Sequence, residues 1–404
     1  MNENFDHLKV IVKNFLDYIE KNGTSSYDPY DFWGTRFGIF AREIYYKNKL
    51  LSIPLIFPIL LLDIYFPQIR KVIINKKKYS IADAHILMGY LNLYLLTSKE
   101  EYLSKAIDIS DYLLKTSIEG FSGYCWGYPF DWQSNNGFWK KNTPFATVTP
   151  YCFEAFLMLY DITGLNKYLD ISFSISKFID KDINYKSNIN QTLSASYSPF
   201  DNTSVINSSA YCAYILIESY KRFGVVEYKS KAEKLISFVL YTQQDDGSWF
   251  YSFQNPKDIF IDNIHTCFVL KNLIKYNNLI KNNKVEIAIL KGFNYYINNL
   301  LNKDGLPKPF TKTNKFNLIK TDLYDYAEAI NLFILMKNFH PSAITLLEKL
   351  IKKVIDSFAT KNGTFVSKVN NLGLKIKLPY LRWGQSQMFY ALTKFMIEKN
   401  IEFR

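Results

Sequence analysis

KNFLDYIEKNGTSSYDPYDFW, residues 13–33, and ISFVLYTQQDDGSWFYSF, residues 236–253, share one plan although they lie in opposite halves of the chain. In each, an amphipathic helix runs into a polar turn containing a glycine, Gly23 or Gly247, and then into aromatic residues. The helical pattern recurs elsewhere in pairs of segments: 80–96 with 101–117, 149–163 with 166–180, 207–223 with 227–243, 262–276 with 284–302, and 322–337 with 341–359. A helix over 383–399 has no partner after it, and one over 5–21 has none before it. Pairing those two gives a sixth hairpin and closes a ring, because each hairpin alone leaves an apolar face exposed. The fold class expected is therefore all-α: an (α/α)6 toroid forming one domain over residues 1–404, with 35–79 as an extra helical excursion.

Register supports the ring. Aligning the first helices of hairpins two to six puts Cys152, Cys212, Cys267, Ala327 and Gln387 in one column. Five positions earlier the column reads Thr147, Asn207, Asp262, Asp322 and Arg382. Asn207, Asp262 and Asp322 suit helix N-caps, so capping is their structural alternative to chemistry. Connections inside hairpins are short, whereas those between hairpins (118–148, 181–206, 244–261, 303–321 and 360–381) are long. In a ring all the long ones crowd one mouth, where function is expected.

Composition narrows the partners. The formal net charge is +12, but the lysines are scattered and only Lys76 to Lys78 form a run, so a solvated surface is expected and no nucleic-acid partner. Aromatic residues make up 17% of the chain. Part of that excess follows from AT-rich codons, leaving clusters as the informative feature. Four cysteines without CxxC spacing, and a start without a secretion-signal pattern, suggest a reducing, cytoplasmic setting. Residues 50–66, LLSIPLIFPILLLDIYF, are too short and too proline-broken to span a bilayer, which leaves a buried or surface-docked helix and makes peripheral membrane association possible.

The loop GFSGYCWGYPFDWQSNNGFW gathers Trp126, Tyr128, Asp131 and Trp132, aromatic faces beside polar groups of the kind that contact sugars or a polyprenyl chain. Gln243, Gly247 and Trp249 form a Gln-x-x-x-Gly-x-Trp unit, scaffold chemistry in which the tryptophan stacks on a neighbouring helix; with Tyr251 it still borders the mouth. Asp262 and His265 are one helical turn apart. A helix N-terminus favours neutral imidazole, a competent base, acid or electrophile. DLYDYAE adds Asp322, Asp325 and Tyr326, and YLRWGQSQ adds Arg382, Trp383 and Gln385. Arginine occurs at only six positions. A cation at a helix start is opposed by the helix dipole, so Arg382 implies an anionic ligand group or an acid from a neighbouring repeat. Phosphate loops, nucleotide-binding glycine motifs, serine-hydrolase elbows and zinc patterns are all missing from the sequence, and no metal or cofactor is expected.

The Gln-x-x-x-Gly-x-Trp unit resembles the QW repeat of squalene and hopene cyclases and the DGSW turns of several α-toroid families. DGSWFY, FIDNIHTCFVL and the closing LRWGQSQMFYAL together resemble bacterial toroid proteins associated with polysaccharide biosynthesis and, more distantly, six-hairpin glycosidases, uronate lyases and glucuronyl C5-epimerases. The resemblance spans roughly residues 80–400 and implies an intracellular glycan-processing enzyme acting on an acidic sugar. In that reading Arg382 holds a carboxylate, His265 and Tyr326 move a proton, and Asp262 orients His265. A hydrolase version places acid and base on two of Asp262, Asp322 and Asp325. An isoprenoid-binding or cyclase-like protein is the alternative if the chamber behind the aromatic mouth is wholly apolar. A non-catalytic scaffold of a glycan assembly complex is the other.

Overall fold

In the computed structural model, residues 2–135, 137–253, 260–313 and 317–403 are described. Fifteen α-helices are described: α1 (Asn2–Asn22), α2 (Arg36–Lys47), α3 (Lys49–Tyr65), α4 (Arg70–Ile73), α5 (Ser80–Thr97), α6 (Glu100–Lys115), α7 (Thr149–Thr163), α8 (Asn166–Lys181), α9 (Ile206–Phe223), α10 (Val226–Tyr241), α11 (Asn263–Leu279), α12 (Asn283–Tyr295), α13 (Leu323–Met336), α14 (Ser342–Ser357) and α15 (Ser386–Glu398). The odd-numbered helices from α5 to α15 form an inner ring in which α15 packs against α5. The outer ring is α6, α8, α10, α12, α14 and α1, so the two ends of the chain supply the sixth hairpin.

Burial explains the two layers. The segment Ile81–Leu93 of α5 is buried at every position, as a helix contacted on all sides requires. The outer α6 buries only Ala106, Ser110 and Leu113, one stripe at helical spacing. Inner helices stop abruptly where Gly164 and Gly224 adopt left-handed backbone (φ 67° and 74°), a conformation that costs glycine nothing and permits a tight turn into the outer helix. The closing seam is held by Asn92 Nδ2, which donates to Thr393 Oγ1 at 3.0 Å, and by Phe15 of α1 stacked on Phe389 at 5.0 Å.

The long connections all reach the N-terminal ends of the inner helices, and short antiparallel pairs stiffen them. These are β1 (Trp132–Ser134) with β2 (Gly137–Trp139), β3 (Tyr185–Ser187) with β4 (Leu193–Ala195), β5 (Ile261–Asp262) with β6 (Phe310–Lys312), and the three-stranded β7 (Ile319–Asp322), β8 (Lys368–Asn370) and β9 (Lys375–Ile376). Before α15 the backbone departs from the expected helix start. Residues Leu381–Gln385 form a kinked turn in which Trp383 and Gly384 are non-helical.

Helices α2 to α4 lie outside the ring, with a small core of their own made by Phe32, Trp33, Ala41 and Ile59. Buried Arg70 bonds Asp63, lies 3.8 Å from Asp31 and places its guanidinium 4.1 Å from the Phe32 ring centre. Among the described residues, no single helix is long and apolar enough to cross a membrane.

Candidate active site at the mouth of the ring

Asp262 ends β5, with Phe310 of β6 as its register partner, and caps α11: its Oδ1 accepts from the His265 backbone N–H at 2.8 Å. One turn of helix brings the His265 ring onto the same carboxylate, with Nδ1 2.7 Å from Oδ2 and 2.9 Å from Oδ1. Tyr251 meets the imidazole edge-on at 4.7 Å, and Phe260 and Phe268 flank it at 5.9 and 5.7 Å. The side chain is 31% exposed. An ionised carboxylate only accepts hydrogen bonds, so the neutral ring carries its proton on Nδ1 and keeps a lone pair on Nε2. Nε2 has no hydrogen bond among the described contacts. The result is an oriented base.

The neighbouring repeat adds two carboxyl groups in unlike surroundings. Asp322 ends β7 and caps α13 through the Tyr324 N–H at 3.0 Å, while its Oδ2 accepts from Trp383 Nε1 at 2.9 Å and lies 3.4 Å from Lys368 Nζ. Asp325, one turn on, is 3% exposed and its Oδ2 has no hydrogen-bond partner. Burial first, then the nearby Asp322 and Asp262, pushes its carboxyl well above the usual carboxylate range, so it is held protonated.

Aromatic rings line the rest of the mouth. Trp383 packs against Tyr324 at 5.1 Å and Tyr30 at 6.1 Å; Tyr30 meets Trp132 at 6.0 Å, and Trp132 meets Tyr128 at 6.4 Å. Arg382 sits behind this wall, its guanidinium 4.9 Å from the Tyr128 ring centre, in a two-pronged pair with buried Asp28. Below the rings the hydroxyls of Tyr151 and Tyr211 are 2.6 Å apart. Deeper still lie the ion pairs Lys271–Glu328 and Lys275–Glu154, with His85. The chamber is polar, so the wholly apolar interior required by the isoprenoid alternative is absent.

Contacts therefore connect Asp262, His265, Tyr251, Asp322, Trp383, Tyr128 and Trp132 at the mouth, with Asp325 just beneath. Four expected members point elsewhere. Trp126 is 1% exposed, donates from Nε1 to the Leu113 carbonyl and packs on Phe156. Trp249 donates to the Val239 carbonyl and leaves no room for a Cβ at Gly292 of α12. Tyr326 packs on Phe358 at 4.7 Å, in the layer between α13 and α14. Gln385 is buried and spends its amide on the Phe365 backbone and Ser367 Oγ. All four are framework. Asp131 accepts from the Lys141 N–H at 2.6 Å and so ties its own loop, while Arg382 answers an internal acid. Asn207 was expected to cap its helix, but it falls inside α9, one residue past the first.

Sequence reasoning passed over Asp28, Tyr30, Tyr324, Phe268 and Lys368. The segment YDPYDFW contains the first two, and its place after α1, matching DGSWFY after α10, is the available signal. Lys368 had none, since it lies in a long loop among many lysines.

No family model matches the sequence, and no curated protein aligns with it. Solved structures do match. The cellobiose 2-epimerase of Bacillus thermoamylovorans superposes with a TM-score of 0.62 at 14% identity, over 80% of this chain and 88% of that one. An unsaturated glucuronyl hydrolase specific for heparin gives 0.57 at 11%, over 80% and 88%. A polysaccharide lyase gives 0.60 at 11%, over 98% of both chains. The chain shares their (α/α)6 fold. At these identities the likeness is one of architecture.

Proposed function

We propose that this (α/α)6 protein is a glycan-processing enzyme in which His265, aimed by Asp262, takes a carbon-bound proton from an acidic sugar, as an epimerase or lyase does. The observation that carries the reading is the fixing of His265 Nδ1 by both oxygens of Asp262, in a ring of aromatic neighbours made by Tyr251, Phe260 and Phe268. Rings such as Trp383, Trp132 and Tyr251 suit the C–H faces of a sugar. Cellobiose 2-epimerase and polysaccharide lyase structures built on the same toroid support sugar chemistry at such a mouth.

The preference for an acidic sugar no longer rests on Arg382, whose guanidinium is already gripped by Asp28. The nearest cation at the mouth is Lys368, 15% exposed, 5.4 Å from the Trp383 ring centre and 3.4 Å from Asp322 Oδ2, so a substrate carboxylate would have to share it with Asp322. Four unpaired, buried cysteines support a reducing compartment.

Hydrolysis is the second reading, favoured by one observation: Asp325, buried with Oδ2 unpartnered and its carboxyl pushed upward by burial, stands one helical turn from Asp322, and two carboxyl groups in unlike surroundings are what glycosidases use. Incubation with acidic and neutral oligosaccharides in heavy water separates the two. Deuterium gained at a ring carbon, or an unsaturated product, supports proton abstraction; new reducing ends without either support hydrolysis. Absence of turnover and of glycan binding across the panel would remove the enzymatic reading.

A further inference from the structure

The α2–α4 excursion presents an outer face unlike the rest of the molecule. Between Leu50 and Leu62 of α3 the only polar side chain is Ser52, and it is buried. The inward face of α3 is occupied, with Ile59 packed into the cluster of Phe32, Trp33 and Ala41. The outward face is apolar as well: Leu50 is 78% exposed, Leu51 68% and Phe57 53%, and the same excursion exposes Phe37 of α2 at 51%, Phe66 after α3 at 63% and Val72 of α4 at 85%. A helix that is apolar all round is ordinarily enclosed on every side, and a contiguous apolar surface on a water-facing element marks a contact.

Charge identifies the contact. Residues 35–78 hold nine Lys and Arg against two acids, Glu43 and Asp63; nine minus two is +7 of the chain's +12. Lys47 ends α2, Lys49 begins α3 and Lys71 lies in α4, all three exposed, whereas Arg70 is buried against Asp63 and Lys76 and Lys78 lie over the rings of Tyr27 and Tyr112. Two such faces from two copies would repel, whereas an anionic lipid surface would attract both the apolar core and its basic rim. Spanning is unsuited to the segment: α3 has 17 residues, contains Pro54 and Pro58, and meets the following helical turns at 93°.

We propose that α2–α4 dock the protein on an anionic phospholipid bilayer, with α3 lying in the plane of the interface. Arg42 of α2 donates to the Gln133 carbonyl of β1 at 3.3 Å, next to Trp132, so the excursion touches the mouth through α2. Docking rests on α2–α4 alone; joined to the reading of the mouth as a glycan site, it makes a sugar carried on a membrane lipid the substrate class.

The test is sedimentation of the intact protein with vesicles, comparing phosphatidylglycerol–phosphatidylcholine mixtures with pure phosphatidylcholine, at low and high salt. The intact protein should bind the anionic vesicles, more weakly at high salt and on the neutral ones. Leu51→Asp combined with Phe57→Asp should lower partitioning at least about tenfold with unchanged thermal unfolding, since both side chains are solvent-facing. Three results would overturn docking: no sedimentation of the intact protein, equal sedimentation of the variant, or a dimer that the variant abolishes while vesicles remain unbound. None of these depends on turnover, so failure of docking and failure of the glycan reading are separately visible.

Discussion

Arg382 and Asp28 stand 354 positions apart and meet in a buried two-pronged ion pair, Nε on Oδ2 and Nη2 on Oδ1, each at 2.6 Å. Asp28 follows α1, and Arg382 lies in the kinked turn before α15, so the pair ties together the two ends that form the sixth hairpin. Its rigidity suits a bidentate guanidinium; a lysine would offer one point charge.

Breaking that pair should cost stability well before it alters specificity. Asp28→Ala strands a buried guanidinium and should destabilise by about 3–5 kcal/mol in denaturant unfolding. Replacing both partners with apolar residues, Asp28→Leu with Arg382→Met, should recover part of the loss. An Asp28→Ala protein of unchanged stability would show that the pair does not hold the ring closed.

The Asp262–His265 pair separates capping from chemistry. Asp262→Asn retains a side-chain oxygen for the His265 N–H, so melting should shift by no more than about 1 kcal/mol equivalent. The amide no longer enforces the Nδ1–H tautomer, and turnover should fall by about 10²–10⁴, as for His265→Ala. Steady-state rates beside thermal melts decide it. Full activity of either variant would remove His265 as the base.

The closing seam offers a steric prediction. A Cβ on Gly89 of α5 would lie 2.2 Å from Phe389 Cε1 of α15. Gly89→Ala should therefore overpack the α5–α15 contact and destabilise by about 1–3 kcal/mol, whereas Gly89→Ala with Phe389→Leu should regain much of it. Calorimetric unfolding of the single and double variants measures the difference.

Acid should loosen the core through His85. Burial lowers its pKa from 6.5 to about 4, against the Ile81 carbonyl, which accepts from Nδ1 at 2.7 Å, and the nearby Glu154; Lys271 and Lys275 add to the lowering. The unfolded chain then binds more protons between those two values. The contribution, about 3 kcal/mol, is complete above 6.5 and is lost as pH falls through about 4. Asp83, raised by burial to about 6, works with the opposite sign in the same range. The difference in stability between the intact protein and His85→Leu isolates the histidine: it should shrink as pH falls from 6.5 to about 4, and a difference independent of pH would exclude His85 as the group.

Much of the architecture was legible because it depends on spacing. Inner and outer helices differ in how much of their circumference is apolar, and α7, α9 and α13 begin and end within a residue or two of the expected bounds. Asp262, Asp322 and Arg382 do share one end of the ring, as equal positions in equal repeats must, but Arg382 is buried behind the aromatic wall. Spacing does not say which way a side chain turns from a loop or whom it meets across the ring. Tyr326 follows Asp325 by one residue, about 100° around the helix, and that rotation carries it into the outer layer. Trp126 looked like a ligand platform because it lies in an aromatic loop, and Trp249, read as a scaffold residue, was still expected to border the mouth; each indole donates to a carbonyl of the preceding outer helix. For Arg382 the missing knowledge was its acid, near the opposite end of the sequence.

Closure by α1 and α15 also dictates an order of events during synthesis. The ribosome delivers α1 well before its partner, which comes only after the other five inner helices have been made, so the nascent chain is an open arc whose two seams, lined by Phe15 on one side and Gly89, Tyr90 and Asn92 on the other, have nothing to bury them. Contacts with such long sequence separation form slowly, and until they form the exposed seams are sites for chaperone capture or for pairing with another unfinished arc. Rejoining the chain so that α1 directly follows α15, with a new opening in a short turn such as Gly164–Leu165, would make the last hairpin local and should speed refolding without altering the mouth.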